Sequence, residues 1–138
     1  MFRANPGVRR SLTVTAIGSD ISTLEGLGGY MNRRVTYRSV LAVSEASKVS
    51  MSSDCVVLYP DGFPARAAQR LARDLINCPT VSLVIIVTAW PNEYQALDRT
   101  RTANNRLIML SPPAWPWTLF ATIQSSLPSL RREASRLC

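Results

Sequence analysis

The chain has 138 residues, 46% of them hydrophobic, and a formal charge of +7. That length suits one ordinary domain, and that apolar content excludes disorder over most of it. With no histidine present, a histidine-based triad, a His-ligated metal and a histidine phosphorelay are all excluded on this chain.

No apolar run reaches the length of a membrane-spanning helix, and the first residues lack the apolar core of a signal peptide. A cytoplasmic protein with no membrane partner is therefore expected. Cys55, Cys78 and Cys138 are odd in number and far apart. They read as small hydrophobes or idle thiols rather than as a disulfide or a metal set, and no cofactor is implied. The basic residues are fifteen Arg and the single Lys48. Arg3, Arg9 and Arg10 give residues 1–10 a charge of +3. Arg131, Arg132 and Arg136 against Glu133 give residues 128–138 a charge of +2. A DNA-binding domain concentrates its charge on one helix or face. Here it is mostly terminal, which reads first as solvated tails and only second as a nucleic-acid surface. The chain divides into a basic lead (1–10), one domain (11–127) and a basic tail or linker (128–138).

Leu12 to Ile17 is the first expected strand. Gly18-Ser19-Asp20 breaks it and offers Ser19 or Asp20 as a helix cap. Ile21, Leu24, Leu27 and Met31 recur at helical spacing, although Gly26, Gly28 and Gly29 weaken that helix. Val35 to Arg38, running on toward Val40, is a second strand, and Ser44 to Met51 a short, weak helix. Cys55 to Tyr59 is a third strand, apolar throughout, closed by Pro-Asp-Gly turn chemistry at 60–62. A third helix runs from Pro64 to about Asn77, with Ala67, Ala68, Leu71, Leu75 and Ile76 inward and Arg66, Arg70, Arg73 and Asp74 outward.

Val81 to Thr88 is the longest apolar run. It is rich in β-branched residues and does not alternate with polar ones, so it predicts a strand buried on both faces. Pro91 to Asp98 is a fourth helix, Arg106 to Leu110 a fifth strand, and Trp117, Phe120, Ile123 and Leu127 mark the inward stripe of a fifth helix with Pro116 in its first turn. Five β-α units in succession predict an α/β domain: a doubly wound, five-stranded parallel sheet with helices on both faces.

Thr88-Ala89 at the end of strand four, Ser111-Pro112 at the end of strand five and Asp54-Cys55-Val56-Val57-Leu58 in strand three resemble the corresponding segments of response-regulator receiver domains. The resemblance covers residues 12–127 and implies the flavodoxin-like (βα)5 fold of the chemotaxis response regulator, with a cis peptide bond before Pro112. It also implies a phosphorylation site, and there the chain departs from the pattern. The two positions for Mg²⁺-binding acids are Ala16 and Ile17. The phosphoacceptor position is Tyr59, with Asp61 two residues on, and the lysine position is Ser111. Thr88 remains. Mg²⁺ needs oxygen ligands, and phosphoryl transfer needs that metal and a cation. The resemblance therefore implies a pseudo-receiver: a phosphorylation-independent, non-enzymatic protein-interaction module of bacterial signalling or transcription control.

In receivers, helix four, strand five and helix five form the face used for dimers and partners. All three tryptophans lie between residues 90 and 117, and Trp and Tyr are favoured interface anchors. A protein partner or homodimer on this face is expected, with Tyr94 and Trp115 partly exposed, Arg131 and Arg132 at the rim, and Trp117, Phe120 and Ile123 buried. A nucleic-acid-associated regulator using the basic tails is the alternative reading, and a small flavodoxin-like nucleotide-binding protein the third. There is no Gly-x-Gly-x-x-Gly and no Gly-Lys-Ser/Thr to support the last.

Overall fold

The computed structural model describes residues 12–50, 52–99 and 106–127. The basic segments 1–10 and 128–138, with Arg131 and Arg132, lie outside them. The elements are β1 (Thr13–Ile17), α1 (Ile21–Met31), β2 (Thr36–Val40), α2 (Val43–Ser50), β3 (Cys55–Leu58), a single 3₁₀ turn (Pro60–Gly62), α3 (Ala65–Ile76), β4 (Leu83–Val87), α4 (Asn92–Asp98), β5 (Arg106–Leu110) and α5 (Pro116–Ser126).

The five strands form one sheet in the order β2-β1-β3-β4-β5. All neighbours run parallel. This is the order of the flavodoxin-like fold. β3 and β4 are buried along their whole length, as their unbroken apolar sequence requires. Period-2 alternation sends their side chains into two separate cores. Val14, Cys55, Val57, Ile85 and Val87 face one side, with Leu24, Leu27, Met31, Leu119 and Ile123 of α1 and α5. Val56, Leu58, Val84 and Ile86 face the other, with Leu71, Leu75 and Ile76 of α3 and Tyr94 of α4. Edge strand β5 is only half-buried from Leu107 to Leu110.

Two expectations about packing are corrected. Tyr94 is buried, at 3% exposure, because Tyr94 and Leu97 are the only large apolar side chains α4 has to close the core against α3. Trp117 is 56% exposed. The buried stripe of α5 is Leu119, Ile123 and Ser126 instead. Leu119 and Ile123 are four apart and share a face, which leaves Trp117 on the helix flank and Phe120 half-buried beside it.

The three glycines of α1 are not equivalent. A Cβ on Gly28 would lie 2.8 Å from Tyr37 Cε2, and that ring is held by its hydroxyl, which donates to the Leu24 carbonyl at 2.7 Å. A Cβ on Gly29 meets nothing within 4 Å. Gly29→Ala should therefore raise unfolding stability by about 0.5–1 kcal/mol through helix propensity. Gly28→Ala should lower it by about 1–3 kcal/mol through overpacking. Denaturant melts of both variants check the pair.

Candidate functional site at the carboxyl edge of the sheet

In an open parallel sheet, sites are built beyond the carboxyl ends of the strands. Here the loops after β1, β3, β4 and β5 converge at that edge. Those after β1, β3 and β5 enclose, with the end of β4 and the start of α1, a cleft of about 680 Å³.

The loop after β1 is Gly18-Ser19-Asp20. Gly18 packs against the Tyr59 ring, since a Cβ there would sit 3.3 Å from Tyr59 Cβ and Cδ2. Asp20 is the N-cap of α1, accepting from Ser22 N at 3.1 Å and from Thr23 Oγ1 at 2.7 Å. The Thr23 hydroxyl, with the Ser22 N–H behind it, holds the Asp20 carboxyl below its ordinary value.

Tyr59 follows β3, and its N–H donates to the Ile17 carbonyl at 2.8 Å. Burial pushes its phenol up to about 12. Asp61 lies in the 3₁₀ turn beyond. Its Oδ1 accepts from Thr88 Oγ1 at 2.6 Å, and its Oδ2 accepts from Ala89 N at 2.8 Å. Thr88 Oγ1 in turn accepts from Trp90 N at 3.0 Å. One carboxylate thus ties the loop after β3 to the end of β4. The hydroxyl that resembles the receiver threonine is already committed on both sides.

Ala16 and Ile17 are fully buried and hold no metal-binding oxygen. Ser111 and Pro112 are exposed at the end of β5. The cis peptide bond precedes Pro113, not Pro112. The Mg²⁺ of receiver chemistry does not fit these residues. Among the described residues no three His, Cys, Asp or Glu side chains converge. The two carboxylates at the cleft, Asp20 and Asp61, each spend both oxygens on protein donors.

A second feature adjoins the cleft. Trp115 and Trp117 are 53% and 56% exposed, and their rings stack in parallel, 5.4 Å between centroids with 3° between planes. Tyr30 of α1 meets Trp117 edge-on at 6.5 Å and Phe120 at 6.1 Å. The Arg34 guanidinium lies 4.0 Å from the Tyr30 centroid. This aromatic group therefore sits on the α1–α5 face, while exposed Trp90 lies at the start of α4. Of the residues expected to form the face of α4, β5 and α5, only Trp115 is exposed among those described. The sequence reading missed Tyr30 as a member of this group. Its signal was its position off the Leu24–Leu27–Met31 stripe.

The sequence matches no protein-family model and no curated protein. Its fold is similar to that of a protein from Burkholderia thailandensis assigned to pilus assembly (CpaE). The TM-score is 0.59 and the identity 13%, over 83% of this chain and 97% of that one. It is also similar to a protein fused to a yeast trimeric coiled-coil segment. There the TM-score is 0.53 and the identity 15%, over 93% of this chain and 88% of that one. At these identities the likeness shows the fold: a receiver-like, flavodoxin-like α/β sheet.

The tie at Asp61 has a measurable weight. Asp61→Ala leaves the Thr88 hydroxyl and the Ala89 N–H without their acceptor and should cost about 1–3 kcal/mol. Thr88→Val, at a side chain that is almost wholly buried, should cost a similar amount, and the double variant less than the sum of the two. A double-mutant cycle of denaturant melts measures the coupling.

Proposed function

We propose that the chain is a phosphorylation-independent, receiver-like docking module. It would act without enzymatic chemistry in bacterial signalling or transcription control, by contact with a second copy of itself or with another protein. The observation that supports this most is the aromatic group on α1 and α5. Trp115 and Trp117 lie stacked with both rings more than half exposed, and half-buried Tyr30 and Phe120 adjoin them. Contiguous exposed apolar surface of this kind marks interaction sites, and Trp, Tyr and Arg are the usual anchors.

The chemistry at the strand ends supports the same reading. Ala16, Ile17 and Tyr59 supply neither metal ligands nor an acceptor, and Asp61 serves as a structural tie. The burial of Tyr94 moves the proposed contact away from α4 and onto the α1 side of α5.

Sedimentation of the full chain over a concentration series tests the proposal on a second copy, which a two-fold axis would place patch against patch. Trp117→Ala should weaken association by about 2 kcal/mol or more, with an unchanged melt because the ring is exposed. Trp90→Ala, at a ring 62% exposed on the α4 side, should leave association as it was. Association that survives Trp117→Ala but is lost with Trp90→Ala would place the contact on the α4 side and contradict the proposed face.

A further inference from the structure

The cleft at the carboxyl edge adjoins the aromatic face and shares Trp115 with it, and its lining is chemically lopsided. Its volume of about 680 Å³ lies within the range of roughly 300–1,000 Å³ that small-molecule sites occupy. Leu27, Val87 and Ala114 give it apolar surface, and the Trp115 indole and neighbouring prolines give it flat walls. The charged groups among the described lining residues are Asp20 and Asp61, with no Arg or Lys. On a chain of net charge +7, this is a locally acidic site.

That lining excludes the ligands a flavodoxin-like fold would first bring to mind. A phosphate or nucleotide would meet two carboxylates. The N-terminus of α1, where an anion would otherwise bind, already carries the Asp20 carboxylate. A hard divalent cation wants six or more oxygen ligands, and two carboxylates among mostly apolar walls fall short of that.

An organic cation asks for less. Each carboxylate oxygen holding one donor keeps a second lone pair, enough for an ammonium or amidinium N–H. The flat part of such a molecule can lie against an indole face, where the ring quadrupole adds a cation–π attraction. Trp115 is held by its parallel stack on Trp117, so its face is presented without a rotamer search. The Tyr59 phenol, also in the lining, offers a neutral donor and acceptor.

We propose that this cleft binds a small organic cation: a flat, mostly apolar molecule bearing an amine, amidine or guanidine. The cationic end sits between Asp20 and Asp61, and the flat body lies against Trp115.

The probe is p-aminobenzamidine, with p-aminobenzoate as the control of equal size and opposite charge. Both are titrated into the full chain and followed by amide and indole NMR shifts. The amidine should bind saturably and move the Trp115 indole N–H together with the amides of Ser22 and Gly62. The benzoate should leave them unmoved. Asp20→Asn keeps a good helix cap and removes one charge. Trp115→Ala removes the platform at an exposed position. Each should weaken amidine binding about ten-fold or more, with the rest of the spectrum preserved. Absence of saturable amidine binding, equal binding of the benzoate, or wild-type affinity in both variants would overturn the proposal. Displacement of the amidine by millimolar Mg²⁺ would do so too, by assigning the carboxylates to a metal.

Discussion

Two strands with no polar side chain decide the rest of this molecule. β3 and β4 read Cys-Val-Val-Leu and Leu-Val-Ile-Ile-Val and are buried on both faces. A strand of that kind cannot leave either face to water, so helices must cover both, and the connections between parallel neighbours must be helical crossovers. The interior of β3 and β4 then carries no charged side chain. Polar function is confined to the ends of the strands and to the outer surfaces of the helices. The cleft with its carboxylates and the aromatic group on α1 and α5 lie in those two places.

At the strand ends, one short displacement changes what the fold can do. The carboxylate after β3 sits in a 3₁₀ turn at Asp61 rather than at the position of Tyr59, and from there it reaches Thr88 Oγ1 and Ala89 N. Its oxygens are spent on joining two loops. The residues at the end of β1 that would supply metal-binding acids, Ala16 and Ile17, are core. Asp61 is here a latch between two loops, and an acidic, mostly apolar cleft lies beside it.

The fold was legible because its signals are local and strong. The apolar run at 83–87 and the periodic pattern of α3 needed no tertiary knowledge; Pro116 marked the start of α5, and of the two candidate caps Ser19 and Asp20 the structure uses Asp20. The site was legible only in part. Pro-Asp-Gly after β3 announced a turn, but its partner in Thr88 is 27 residues away, and no spacing rule reports such a contact. The rotation of α5 was misread because Trp117, Phe120, Ile123 and Leu127 fit a helical stripe as well as Leu119 and Ile123 do. Which stripe is buried depends on the approach of α1, where Tyr30 fills the flank. Tyr94 was misread for the opposite reason: a short helix with two large apolar residues has to use both.

The account rests on Asp61 being a structural tie and not a phosphoryl acceptor. Amide NMR of the ¹⁵N-labelled chain during titration with Mg²⁺ and beryllofluoride tests this most directly, because the fluoride complex mimics a phosphorylated aspartate where one can form. The account predicts that the resonances of Asp61, Gly62, Thr88 and Ala89 stay where they are at saturating reagent. A saturable, Mg²⁺-dependent shift of those four would contradict it and restore Asp61 as an acceptor.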